Sequence, residues 1–262
     1  MPRGASCIYK GDLMFKIQFL SGNMLKILAA VAMFIDHAGY LFFPGNADFR
    51  IVGRLAFPIF AFMIAEGTKY TRNKTKYFSM IFGLAFICQV VYYLFDKSLY
   101  MCVLVTFSLS ILALFALENF KRISFEKKYN AFFKLAAFGL FAACVGITAI
   151  LNSALEIDYG FWGCMLPVFA GLLHMPENCN IEWLKKLDNR FTSVILLAIG
   201  LIPLAMDVGN VQNYAFLAIL PLLLYSGKRG KLNMKYFFYI FYPLHLVVLE
   251  AIYLFSRGTY FF

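Results

Sequence analysis

Charge is what this sequence has least of. Only 15% of its 262 residues are Asp, Glu, Lys or Arg, where a soluble domain carries about a quarter. With 62% hydrophobic residues, no water-soluble fold of this length could hide the apolar surface. Cysteines at metal or redox spacing are missing too. Cys7, Cys88, Cys102, Cys144, Cys164 and Cys179 form no CxxC, and four lie in apolar runs, so they read as small buried side chains. Nor is there the apolar–polar alternation of a membrane β-strand: segments 111–116 and 221–225 are apolar throughout. Histidine is scarce, with three in the chain, and no Ser-His-Asp or metal spacing involves them.

What is present is a series of apolar runs near the roughly 17 to 25 residues that cross a bilayer as a helix, separated by short charged clusters. Helices are the only spanning structure left, so the fold class is all-α, a polytopic transmembrane bundle. Nine helices are expected, at 24–43, 53–68, 78–95, 101–118, 131–151, 159–175, 192–207, 213–226 and 235–255. The second and eighth are short, and Pro58, Pro167 and Pro221 interrupt spans, which is tolerated where neighbouring helices or a polar cavity satisfy the backbone. The turn 96–100 is short enough that 78–118 could instead form a re-entrant hairpin. Residues 1–20 read as a cytoplasmic lead-in, with Arg3, Lys10 and Lys16 but no convincing cleavage site. Residues 21–258 read as one transmembrane domain.

The net charge of +10 does not point to nucleic acid, which would need its cations on one accessible patch. Threading nine helices puts every basic cluster on one side. These are Lys10, Lys16 and Lys26; Lys69, Arg72, Lys74 and Lys76; Lys121, Arg122, Lys127 and Lys128; Lys185, Lys186 and Arg190; and Lys228, Arg229, Lys231 and Lys235. The other side keeps Arg50, Lys97 and Arg257 with Asp48, Asp96, Glu156, Asp158 and Asp207. Because cytoplasmic loops carry the excess of Lys and Arg, the N-terminus is expected inside and the C-terminus outside, in the plasma (cytoplasmic) membrane.

Ionisable residues inside the spans are the functional clue, since they are costly there and usually face a partner or cavity. Asp36 and His37 lie in the outer half of helix one. Being adjacent, they point about 100° apart; His37 suits proton transfer at neutral pH, or simply bonds a backbone carbonyl. Arg54 and Glu66 stand about 18 Å apart at opposite ends of helix two. Arg54 could pair with Asp36 or hold an anionic or carbonyl group of a substrate; Glu66 could bridge to Lys69 or Arg72. Glu156, Asp158 and Tyr159 mark the outer mouth between helices five and six, Asp158 also being a plausible helix cap. Pro243 precedes intramembrane His245, a combination that aims a polar group into a cavity. His174 reads as an interfacial residue at a helix end. These residues define a polar intramembrane site able to move protons, without fixing a reaction.

Four blocks, LKILAAVAMFIDH (25–37), GRLAFPIFAFMIAEGTKYTRNKTKY (53–77), DYGFWG (158–163) and KYFFYIFYPLHLVVL (235–249), resemble the signature blocks of the TraX family, in that family's order. The family takes its name from a conjugation protein needed for N-terminal acetylation of F-type pilin, and it resembles the multispanning membrane acyltransferases. The resemblance implies a transmembrane acetyltransferase that takes acetyl-CoA as donor on the cytoplasmic side and delivers to an extracytoplasmic protein N-terminus or glycan, with no metal. It places His37 as the central base, Asp36 as its orienting carboxylate and Arg54 as oxyanion or phosphate ligand. Tyr242 and His245 would complete a substrate cavity with Glu66, Asp158 and Tyr159, and Lys69, Arg72, Lys74 and Lys76 would meet the donor's phosphates. Since His37 is outward and the donor cytoplasmic, a tunnel through the bundle is expected. A proton-coupled transporter or flippase, which should show internal repeats, and a noncatalytic assembly protein are the alternatives.

Overall fold

The computed structural model describes residues 18–97, 99–231 and 234–257; Cys7 and the basic residues Arg3, Lys10 and Lys16 lie outside them. The described residues form a helical bundle without strands: α1 (Gly22–Phe42), α2 (Ala47–Gly53), α3 (Ala56–Tyr70), α4 (Lys74–Asp96), α5 (Val103–Phe125), α6 (Ala131–Ala154), α7 (Gly160–Ala170), α8 (Glu182–Leu187), α9 (Arg190–Val208), a 3-10 segment (Asn210–Ala218), α10 (Ile219–Leu223) and α11 (Lys235–Ser256). Among them seven helical stretches are long and apolar enough to cross a membrane, α2 and α3 together counting as one. The other two expected spans are shorter apolar elements, α7 and the 3-10 segment with α10.

Local chemistry fixes the starts. Ser21, Asn73, Asn130 and Asn189 each accept a hydrogen bond from the backbone N–H three residues on, satisfying donors that the first turns of α1, α4, α6 and α9 leave open. These four caps stand at one end of the bundle, the end that holds Glu66, where Lys69 meets Asp188 and Lys121 meets the carbonyls of Gly171 and His174. The basic clusters of α3, α5 and the α8–α9 region therefore gather at the Glu66 end; Arg54 marks the opposite end.

Three expectations change. The second helix divides at Arg54 into α2 and α3. The sixth stops at Ala170, so His174 falls in a turn beyond it. The eighth is a 3-10 segment running into five residues of α-helix. The 78–118 region, in contrast, is two separate helices of 23 residues each, long enough to span rather than to turn back.

Burial sorts core from rim. Two-thirds of the α2–α3 window is buried (67%) against 11% of α6, whose Phe132, Leu135, Leu140, Ile147 and Ile150 are exposed as a lipid-facing surface requires. The irregular elements are wrapped by the long helices: Cys164, Leu166 and Ala170 of α7 and Ala215 and Ala218 of the 3-10 segment are fully enclosed. Non-α backbone at membrane depth is stable only where protein, not lipid, surrounds it.

Candidate functional site

Pro58 organises the Arg54 end. A proline ring inside a helix collides with the carbonyl four residues back, here that of Arg54, and the chain breaks at this point between α2 and α3. Arg54 is thereby turned inward and is 8% exposed. Its Nη1 donates to Gln212 Oε1 at 3.2 Å and its Nη2 lies 3.6 Å from Asp36 Oδ1. Arg50, one turn earlier on α2, holds Asp36 Oδ2 at 3.1 Å. A Cβ on Gly53 would fall 2.2 Å from Asp36 Oδ1, so α2 approaches α1 this closely only because residue 53 has no side chain.

His37 is anchored by its own helix, Nδ1 lying 2.8 Å from the Met33 carbonyl. His245 repeats the arrangement on α11, with Nδ1 3.0 Å from the Phe241 carbonyl. A carbonyl only accepts, so in each neutral ring Nδ1 carries the proton and Nε2 the lone pair. The two rings meet edge to face with centroids 5.1 Å apart.

Asp158 closes the same end from the α6–α7 loop. Its segment is pinned to the start of α5 by Met101 N–H donating to the Glu156 carbonyl and Asp158 N–H to the Met101 carbonyl, both at 2.9 Å. The carboxylate caps no helix: Oδ1 accepts the Tyr100 hydroxyl at 2.6 Å, and α7 starts from Tyr159 without a side-chain cap. Burial pushes the Asp158 carboxyl up to about 6, against the pull of the Tyr100 hydrogen bond and Arg54. Tyr159 has left-handed backbone (φ 62°) and stacks on Phe57 at 3.8 Å, a sparsely populated conformation that persists where packing over-determines it.

A cavity of about 580 Å³ joins the two ends. Asp36, His37, Asp158, Tyr159 and Tyr242 line it at the Arg54 end, and Glu66, Tyr70, Tyr225, Lys26 and Arg229 at the other, with Phe60, Met63 and Ile81 between. Arg54 and His245 stand behind this wall rather than on it. Lys69, Arg72, Lys74 and Lys76 are likewise off it: Lys69 pairs with Asp188 at 2.5 Å, Lys74 with Glu118 at 2.8 Å, and Arg72 and Lys76 are exposed. Glu66 bridges neither Lys69 nor Arg72. Its carboxylate accepts from Tyr225 at 3.4 Å and lies 3.8 Å from His174 Nε2, which also meets Ser193 Oγ at 3.2 Å. His174 thus joins Glu66 and Ser193 in a polar cluster just past the end of α7, and burial with Lys69 nearby holds its ring down at about 3. Among the described residues no group of three or more His, Cys, Asp or Glu is placed to hold a metal ion.

The sequence profile of the family described as TraX protein matches residues 21–253. The chain belongs to the TraX family. A relative 29% identical over 258 residues, 87% of this chain and 94% of its own length, is the probable fimbrial assembly protein FimC of serogroup H1 from Dichelobacter nodosus. A local match, 43% over 54 residues and 21% of each chain, is to an uncharacterised protein of Rickettsia prowazekii (strain Madrid E). No solved structure matches. In this TraX family member, Arg50, Gln212, Tyr100, Lys26 and Arg229 are site residues that sequence reasoning missed. Arg50 and Lys26 read as topology charges, and Gln212 and Tyr100 carry no charge to mark them.

Proposed function

We propose that this TraX family protein is a membrane acyltransferase of the cytoplasmic membrane that moves an acetyl group from acetyl-CoA to an extracytoplasmic acceptor. One observation carries the reading: a single cavity is lined by His37 at one depth and by Lys26 and Arg229 at the other. The bundle thereby offers an extended thioester arm a route from the basic end to a base about 16 Å away, the rise from Lys26 to His37 along α1. Lys26 and Arg229 meet the donor's phosphates, with exposed Arg72, next to lining residue Thr71, and exposed Lys76 adding positive potential at that end, while Lys69 and Lys74 are neutralised by Asp188 and Glu118. The name of the Dichelobacter nodosus relative favours a pilus subunit as acceptor.

In the reaction, His37 Nε2 removes the proton from the acceptor amine or hydroxyl as its nitrogen or oxygen attacks the thioester carbonyl. Tyr159 and Tyr242, two residues of the cavity wall, donate their hydroxyls to the tetrahedral oxyanion. Collapse breaks the carbon–sulfur bond, and the departing thiolate takes the proton back from His37, leaving an amide or ester and free thiol. Asp36, held by Arg50 and Arg54, fixes the helix turn that carries His37, and Asp158 binds the acceptor. Arg54 acts through Asp36, since it is not on the wall.

Purified protein with labelled acetyl-CoA tests this. Wild type should bind the donor and release thiol when a pilin-type peptide is added. His37→Ala should lose turnover but not binding, and Met63→Trp, which fills the middle of the cavity, should lose both. A second reading, a noncatalytic assembly protein, is favoured by the double pairing of Asp36; it predicts that all three proteins support pilus assembly equally and none binds donor.

A further inference from the structure

His245 is conspicuous because the cavity does not explain it. Its side chain is 4% exposed, its Nδ1 is committed to the Phe241 carbonyl, and its Nε2 is a buried acceptor with no hydrogen-bond partner. Such atoms are rare in native interiors and ask for a donor that arrives in another state of the site. The ring cannot turn away to find one, being stacked on Phe241 at 5.0 Å and packed against Tyr242 at 5.7 Å. Its other ring neighbour is His37, whose Nδ1 is equally committed and whose Nε2 is therefore also a lone pair. Two lone pairs give each other nothing while both rings are neutral. Once His37 has taken a proton on Nε2, the orphaned Nε2 of His245 has a donor.

We propose that His245 is the proton-sharing partner of His37: the two imidazoles hold one proton between their Nε2 atoms after His37 has taken it from the acceptor. His245 is a positioning residue, since it acts through His37 and is not on the cavity wall. Among the described residues, the charged and titratable groups facing the pair are Asp36 on α1, Arg50 on α2 and Arg54 at the joint, which act on His37, and Tyr242 on α11, whose ring packs against His245. The arginines limit the pair to a single added proton, because a second would face two fixed positive charges and the first imidazolium. The shared proton is then at hand for the departing thiolate.

The inference rests on His37 being the base of the proposed transfer, but the titration that decides it needs no acyl donor, so a failed transfer assay and a failed dyad are separate results. The chain has three histidines, so histidine-selective 15N labelling in nanodiscs gives a spectrum assignable from His174→Gln and His245→Gln. On acidification, the His37 and His245 signals of the wild type should move together through one midpoint and account for one proton. In His245→Phe the His37 midpoint should shift by about a pH unit or more. Turnover should fall roughly 10- to 100-fold with the KM for acetyl-CoA within about 2-fold. His245→Gln, whose Oε1 can accept in place of Nε2, should recover most of the loss. Two independent midpoints in the wild type, each taking a full proton, or a His37 midpoint unchanged in both variants, would overturn the proposal. The wild-type titration stands alone should His245→Phe fail to fold.

Discussion

Asp36 accepts from Arg50 and faces Arg54 while itself 14% exposed, so its substitution bears on two cations at once. Asp36→Asn should cost about 3 to 5 kcal/mol, the penalty of leaving a buried ion unpaired, read as a large drop in melting temperature in detergent; an unchanged melt would mean that Gln212 alone satisfies Arg54. Two residues outside the spans give opposite pH signatures. Asp158 titrates near 6 in the fold against an ordinary 3.8, so between those values the folded chain keeps a proton that the unfolded chain releases. Its contribution to stability is full below 3.8 and is lost as pH rises through about 6. Asp158→Asn should therefore gain stability relative to wild type on going from about pH 4 to neutral. His174 titrates near 3 against 6.5, so its neutral ring stabilises the fold above 6.5 and the contribution is lost as pH falls toward 3. Melting curves of His174→Gln should lose that acid limb. The charges at 36, 37 and 54 were legible in the sequence because each is anomalous in an apolar run. The Asp36–Arg54 contact and the His37 bond to a backbone carbonyl were legible as well; Arg50 and Gln212 were not, since Arg50 fell outside the expected span and a neutral glutamine in a connecting segment announces nothing.

At the scale of elements, the α1–α2 contact depends on Gly53, while Gly139 on α6 has open space where a Cβ would go. Gly53→Ala should push α2 off Asp36, lower the melting temperature and abolish transfer. Gly139→Ala should be neutral or stabilising by about 0.5 to 1 kcal/mol, the helix-propensity gain of alanine. Equal behaviour of the two variants would remove the close α1–α2 approach from the account. The long helices were legible because lipid-facing spans such as α4 and α6 must be apolar on nearly every side. α7 and the 3-10 segment were read as full helices because their apolar length looks the same. Nothing in composition shows that Tyr159 and Gly160 take left-handed backbone or that α7 ends after 11 residues; enclosure by α3, α5 and α9 decides both.

For the whole molecule, the expected tunnel and the gathering of cations at one end are two views of one asymmetry. The cavity reaches loop residues Gly227 and Arg229 at the basic end and finishes among Asp36, His37 and Asp158 at the other. Charge patterning is the ground for expecting the basic end in the cytoplasm, but it could not say which cations line the route, because Lys26 at the start of α1 and Lys69 at the end of α3 are indistinguishable as topology signals. The central claim, that an acyl group enters at the basic face and is transferred at His37, is tested most directly by sided membrane vesicles. Acetyl-CoA labelled in the acetyl group is supplied only outside inside-out or right-side-out vesicles that contain the protein and a pilin-type acceptor. Label should reach the acceptor in inside-out vesicles of wild type and not in those of His37→Ala or in right-side-out vesicles. Equal labelling with His37→Ala, or labelling from the opposite face, would contradict the account.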